Sequence, residues 1–335
     1  MFKKHFFKII IGVAISIILI YFTLRQIDFN KSWLLIKSVN YWLLIPALAT
    51  YLFTYVLRAV RYYFILSPLK KTKILENFPY TVVGFFTNNI VPLRLGEFIR
   101  AKITGLYLKI SGSSAFATIV IERLFDIMMF VLFFFLIFVF MPFPSIVEKS
   151  FYILFAIGVL CFIALYIIII YGDNAIRVLS KIAIPDTIKS FIFNFFNKFA
   201  SGLIILKRPI ILFNVLILSA IVWLTEAMTL VVIAYACGIK LSILGAIFTI
   251  IIIGVGSIVP TMPGYFGAYE LMGVLSLSSL GIDKDLAFTC IAISHLLALL
   301  GVFGLGFVCI VKTKLSLADL FKFTKDKDEE QSNVK

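Results

Sequence analysis

Charge is scarce in this sequence. Only 14% of its 335 residues are Asp, Glu, Lys or Arg, while 62% are hydrophobic. A soluble domain ordinarily carries about 25% charged and about half apolar residues, so a water-soluble globule is excluded. Histidine occurs twice (His5, His295) and cysteine four times (Cys161, Cys237, Cys290, Cys309), with no CxxC pair and no histidine at ligand spacing. No metal site is expected from such a set, and the cysteines read as small buried hydrophobes rather than a disulfide frame. A Walker loop, GxSxG, HExxH and the glycine fingerprint of nucleotide sites are all missing. Neither catalysis nor a cofactor is expected, and ATP-driven transport would require a partner.

What the chain has instead is long apolar runs such as "FVLFFFLIFVFM". A full span needs about 20 apolar residues. Spans are expected at Phe7–Leu24, Tyr41–Leu57, Ala115–Met141, Ser150–Tyr171, Pro209–Ala236 and Leu286–Val311. The basic, apolar N-terminus lacks a small-residue cleavage signal and reads as an uncleaved first span. Two regions, about 74–109 and 241–280, each hold two short apolar pieces broken by proline, glycine and polar residues. The expected fold class is therefore an all-α polytopic membrane protein with about six full transmembrane helices and two broken or re-entrant helical hairpins. Inverted repeats are one reading of that pair. A single transmembrane domain (1–311) would be followed by a charged cytoplasmic tail (312–335).

The net charge of +14 forms no single basic face, so nucleic acid is not the expected partner. Placing both termini in the cytoplasm puts 23 of the 31 lysines and arginines in loops on that side and six outside, with Arg94 and Arg123 in the membrane. That bias follows the positive-inside rule and suits a plasma-membrane protein. Between Asp186 and Leu206, apolar residues at Ile188, Phe191, Ile192, Phe195, Phe199 and Leu203 predict a cytoplasmic helix in the interface.

Polar residues gather at a few places. "TNNIVPLRLGEFIRAK" (Thr87–Lys102) and "GSIVPTMPGYFGAYE" (Gly256–Glu270) share the pattern Ile-Val-Pro-x-x-x-Gly. Broken backbone at membrane depth is tolerated where it is buried in protein or lines a wet cavity, and paired breaks mark binding sites in transporters. Ordinary helix kinks are the alternative. A helix starting near Leu93 would put Glu97 in its first turn, where the dipole favours an anion. Arg94 and Arg100 lie three residues to either side, close enough to pair with it. These three groups carry net +1, suited to a phosphate, with Asn88 and Asn89 as neighbouring hydrogen-bonding groups; a structural charge network at a helix end is the alternative.

Glu122, Arg123 and Asp126 fall inside the third full span, with Glu122 and Asp126 on one face and Arg123 placed to pair with Asp126. Each charge costs roughly 2.5–3.5 kcal/mol at a helix centre, so three unpaired would cost about 8–10 kcal/mol. They must face protein partners or water, as a site or as a structural salt bridge. Glu226 is a further intramembrane acid, with Arg58 or Arg61 as candidate partners. Those arginines read equally as snorkelling anchors at a span end. His295 reads as a helix-packing residue, with a proton relay as the alternative, and Gly301, Gly304 and Gly306 as sites of close helix packing.

At these residues the chain resembles the transmembrane, flippase-like domain of the lysylphosphatidylglycerol synthase family. The resemblance rests on Arg58, Arg61 and Tyr62; on Asn88, Asn89, Pro92, Arg94, Gly96, Glu97 and Arg100; on Glu122, Arg123 and Asp126; and on Pro263, Gly264, Gly267 and Glu270. Leu93 stands where a glycine is common, and His295 where an arginine is expected. Members with a fused cytosolic acyltransferase module make aminoacylated phosphatidylglycerol, and their membrane part moves it across the bilayer. With about 25 residues after the last expected span, the resemblance implies translocation rather than synthesis.

The resulting expectation is a flippase or scramblase-like protein for a charged or glycosylated phospholipid. Its substrate-binding residues would be Arg58, Arg61, Asn88, Asn89, Arg94, Glu97, Arg100, Glu122, Arg123, Asp126, Gly264 and Glu270. Membrane lipids are the expected partners, with a further copy of the chain or a soluble lipid-modifying enzyme as additional ones. A secondary transporter of a small solute or ion, and the membrane subunit of a lipid-modifying transferase complex, are the alternatives.

Overall fold

A computed structural model describes residues 2–91, 96–140 and 201–313, with residues 156, 159, 160, 163, 194 and 199 between them. Among the described residues the chain is helical and without strands. In chain order the helices are α1 Phe2–Leu24, α2 Phe29–Ser38, α3 Leu44–Leu66, α4 Ile74–Ile90, α5 Gly96–Leu108 and α6 Gly112–Phe140. After the undescribed stretch come α7 Pro209–Ala236, α8 Ile243–Gly256, α9 Ala268–Ser279 and α10 Lys284–Thr313.

Four helical stretches are long and apolar enough to cross a bilayer: Tyr41–Leu66, Gly112–Phe140, Pro209–Ala236 and Lys284–Thr313. α1 and α2, bent by 84° at their junction, are apolar enough together to count as a fifth candidate, a broken span or a re-entrant loop. Most of the expected span at 150–171, most of the expected interfacial helix at 186–206, and positions 314–335 of the expected tail lie outside the described residues. The two regions expected to be broken each hold a pair of short helices, α4 with α5 and α8 with α9. At 1.5 Å per residue these reach about 18–26 Å, short of a ~30 Å hydrocarbon core.

The surface of these helices is apolar where a soluble protein's would be polar. Ile17, Ile18, Tyr21 and Phe22 on α1, Phe135, Val139 and Phe140 on α6, and Ile210 and Phe213 on α7 are all exposed. That is the arrangement expected where lipid is the solvent. Trp33 on α2 and Tyr41 and Trp42 just after it are exposed, the amphipathic ring type that is enriched at membrane–water interfaces.

By its contacts the chain forms two compact units. The first comprises Met1–Leu57, Val82–Gly96 and Ile221–Lys335; the second comprises Arg58–Thr81 and Glu97–Ala220. In the first unit, glycines let helices close on one another. A Cβ on Gly301 would stand 2.8 Å from the Tyr51 ring, and one on Gly306 would run into Phe86. Gly304, expected to do the same, faces open space.

Helix starts in this unit follow local capping chemistry. Asp28 accepts from the backbone N–H of Asn30 and Lys31 to start α2, and Ser242 accepts from Gly245 N–H to start α8. The α1–α2 corner is tied to the start of α10 by polar links: Asp285 Oδ1 accepts from Asp28 N–H at 2.8 Å, and Lys31 Nζ reaches Asp283 at 2.8 Å and Asp285 at 2.9 Å. The hydrogen bond to Asp283, then that to Asp285, pushes the Lys31 ammonium up to about 12; the same contact holds the Asp283 carboxyl below its ordinary value. Asn40 N–H donates to Ala236 O at 3.0 Å. These contacts join loops that the charge pattern assigns to one side of the bilayer.

The second unit is built on an apolar cluster that includes Tyr62, Ile65 and Leu66 of α3, Ala101 and Leu108 of α5, and Ile119, Ile121 and Phe125 of α6. Burying a large apolar side chain is worth about 1.5–3 kcal/mol against water. Inside a bilayer that drive is absent, so close packing and internal hydrogen bonds must hold the helices together.

Candidate functional site

The expectation that the second span ends at Leu57 is corrected. α3 continues to Leu66 and carries Arg58 and Arg61 into the protein interior, where their relative exposures are 5% and 0%. Neither snorkels. Arg61 Nη1 donates to Asp126 Oδ1 at 2.7 Å and to Ser219 Oγ at 3.0 Å, and its Nη2 lies 3.0 Å from Glu122 Oε1. The charge of Arg58 also acts on Asp126.

Arg100 approaches Glu122 from α5. Its two terminal nitrogens meet the two carboxylate oxygens at 3.2 and 2.8 Å, the bidentate fork that guanidinium geometry favours. The Arg100 guanidinium lies 4.1 Å above the Tyr62 ring, and the Tyr62 hydroxyl shares a hydrogen bond with Thr118 at 3.1 Å. Arg123 is the more accessible member. It reaches Glu122 at 2.7 Å, Asp126 at 3.1 Å and Glu97 at 3.5 Å. The expected i,i+3 pair of Arg123 and Asp126 is thus present.

Glu97 lies in the first turn of α5, as expected; it meets Arg123 at 3.5 Å and its charge also acts on Arg100, whose fork closes on Glu122. To the Glu97–Arg100 neighbourhood expected from spacing, the structure adds partners on a different helix, Glu122 and Arg123 of α6. Arg94 lies outside the described residues, as do Pro92, Leu93 and Leu95. Four arginines and three carboxylates meet in this cluster, leaving net +1. Unpaired charges at this depth would be costly; here each faces an opposite charge.

The first unit contains the second candidate feature. The end of α4 and the broken segment after α8 line one cavity of about 200 Å³, bordered by Asn88, Val91 and residues 257–265. Both Ile-Val-Pro segments therefore contribute to one space, Val91 from the first and Ile258, Val259 and Pro260 from the second. Asn88 faces this cavity; Asn89 instead turns its amide back to Phe85 O at 2.9 Å. Gly96 packs on Asn88, where any Cβ would collide with the asparagine side chain.

The second break is fixed from three directions. Gly264 and Gly267 adopt φ of +79° and +88°, values that L side chains rarely take. Ser16 of α1 donates to Phe266 O at 2.9 Å and accepts from Met262 N–H at 2.9 Å, so one hydroxyl joins both arms of the turn. Glu270 Oε2 accepts from Gly267 N–H at 2.7 Å, capping α9. His295 of α10 lies between Glu270 Oε1, 2.5 Å from Nδ1, and Gly264 O, 2.7 Å from Nε2. Tyr269 stacks on the imidazole at 4.2 Å and meets Ser294 Oγ through its hydroxyl at 3.1 Å.

Of the residues named from sequence, Arg58, Arg61, Glu97, Arg100, Glu122, Arg123 and Asp126 come together in the second unit. Asn88, Gly264 and Glu270 belong to the first unit's cavity and turn. Sequence reasoning does not single out Ser16, Ser219 or Tyr269, and it leaves His295 between a packing residue and a proton relay. A lone hydroxyl inside an apolar run is the only signal Ser16 and Ser219 give. Among the described residues no cluster of three or more His, Cys, Asp and Glu is arranged to hold a metal ion.

Long apolar helices with buried ion pairs, and two broken segments around one cavity, define a polytopic membrane protein with a polar interior. The chain belongs to the family described as the lysylphosphatidylglycerol synthase transmembrane region, whose model matches residues 9–306. Searches of curated proteins and of solved structures returned no match. Membership ties the chain to lipid handling in a membrane.

Proposed function

We propose that the protein moves a phospholipid with a charged or glycosylated headgroup between the leaflets of the plasma membrane, without itself carrying out catalysis. Aminoacylated phosphatidylglycerol is the substrate class that the family name suggests. The observation that carries the reading is the cavity shared by the two Ile-Val-Pro segments. Sites for whole drug-sized ligands run to about 300–1,000 Å³. A space of about 200 Å³ suits a headgroup alone, with the acyl chains left in the bilayer.

In this reading Asn88 and Gly264 serve the headgroup at the cavity, and Glu270 holds the turn that forms its wall. In the second unit, Arg58, Arg61, Arg100 and Arg123, balanced by Glu97, Glu122 and Asp126, form that unit's own candidate contact for an anionic lipid phosphate. Both termini are assigned to the cytoplasm, and membrane lipids are the partners.

The test is reconstitution of the pure protein in liposomes with headgroup-labelled anionic or aminoacylated lipid, followed by a membrane-impermeant quencher. The expected outcome is quenching beyond the half of the label that lies in the outer leaflet. Filling the cavity with Val259→Trp should abolish this excess while the protein still elutes as a folded species. Quenching that stops at half for every headgroup, together with solute uptake by the same vesicles, overturns the lipid reading.

A further inference from the structure

The contacts of His295 have a consequence for its proton count. Both groups facing the ring are acceptors: a carboxylate oxygen at Nδ1 and a peptide carbonyl at Nε2. A neutral imidazole has one N–H and cannot donate to both. The arrangement is satisfied only when the pair holds one proton more than a carboxylate and a neutral ring. That proton resides either on the ring, as imidazolium beside carboxylate, or on Glu270, whose O–H then donates to Nδ1 while Nε2–H donates to Gly264.

We propose that Glu270 and His295 together form a proton-binding site that latches the Pro263–Gly267 turn. Loss of the shared proton leaves one ring nitrogen lone pair facing an acceptor, so one of the two contacts breaks. The group affected is either the Gly264 carbonyl, in the left-handed part of the turn, or the carboxylate that caps α9 through Gly267. Either break loosens backbone that lines the 200 Å³ cavity. The proton is thereby coupled to the shape of the cavity wall.

Among the described residues few other groups can carry this proton. Tyr269 stacks on the ring from α9, and the adjacent small cavity, lined by Tyr269 and Ser294, also holds Glu226 of α7 and Tyr51 of α3. Cys290 lies on α10 itself, in contact with Cys237. The α1 face presents Ser16, which is neutral. Asp28 and Lys31 meet α10 near Asp285, ten residues from His295 and so about 15 Å along the helix. Phenols and thiols ordinarily titrate above neutrality, which leaves Glu226 as the group to control for.

The experiment is hydrogen exchange of the Met262–Glu270 backbone in the full-length protein, corrected for intrinsic rates, between about pH 5 and about pH 8. Wild-type protection should fall by about tenfold or more as pH rises, the effect of losing a hydrogen bond that involves a charged group. Glu270→Gln mimics the protonated pair: its NH₂ donates to Nδ1 and its carbonyl accepts from Gly267. It should stay protected at every pH. His295→Arg donates permanently to both acceptors and should also give protection that no longer varies with pH. Glu226→Gln should keep the wild-type response. Flat protection in the wild type, or a wild-type response surviving in Glu270→Gln, overturns the proposal. The readout needs no lipid movement, so it stands or falls apart from the transport assay.

Discussion

Replacing Glu122 with leucine tests whether the charge cluster holds the second unit together. Glu122 is fully buried and receives Arg100 at 2.8 and 3.2 Å, Arg61 at 3.0 Å and Arg123 at 2.7 Å. Without it, three guanidiniums converge on an apolar side chain, and the cluster's charge rises from +1 to +2. Breaking one partner of a buried pair costs about 3–5 kcal/mol, because the remaining charge is left without compensation. Against a total stability of about 5–15 kcal/mol that is a large fraction. At about 2–4 °C per kcal/mol, the melting temperature in detergent should fall by roughly 6–20 °C.

Cost alone does not establish pairing, so the double variant decides. Arg100→Leu/Glu122→Leu restores the net charge of +1 and removes the bidentate contact whole. Replacing both members by apolar groups is often near neutral. The double variant should therefore lose less than the sum of the two single variants, by about 0.5–3 kcal/mol. Calorimetric melts of the four proteins measure the cycle. Additivity within about 0.5 kcal/mol, or a Glu122→Leu melt indistinguishable from wild type, would refute the argument.

The membrane class was legible because composition reports it residue by residue, and the breaks were legible because proline and glycine act locally. Partners distant in sequence were not. Hydropathy ends a span at its first charges, so Arg58 and Arg61 read as loop residues although α3 runs on to Leu66. What permits the helix to continue is a pair of carboxylates some 65 positions later, Glu122 and Asp126. Their shared face was readable from the i,i+4 spacing, and the Arg123–Asp126 contact from i,i+3. Glu97 shows the same limit: local spacing offered Arg94 and Arg100, and the structure adds Arg123 from another helix, which spacing could not reveal. His295 shows the limit most clearly. Nothing around it in "AISHLLALLG" reveals two acceptors, since both come from the turn near Gly264 and Glu270.

Two further outcomes follow from the first unit. Gly267→Ala forces a side chain into φ +88° with its Cβ 2.8 Å from Ser16 O, and should cost about 1–3 kcal/mol, read as a lowered melting temperature and faster exchange in the turn. The Lys31–Asp283 link predicts a bounded pH effect. Asp283 is held below its ordinary value by Lys31, so its contribution is complete above the unfolded value of about 3.9 and disappears as pH falls through its lower folded value. Lys31 is raised to about 12, so its contribution is complete below the unfolded value near 10.4 and disappears as pH rises through about 12. The melting difference between wild type and Lys31→Met should therefore be constant from about pH 5 to about pH 9 and shrink outside that window. Lys31 and Asp283 are both exposed, so the difference should be small and should also shrink in about 1 M salt, where the screening length falls to about 3 Å. A difference that grows on acidification, or that ignores salt, means the ammonium acts on the corner by packing rather than by charge.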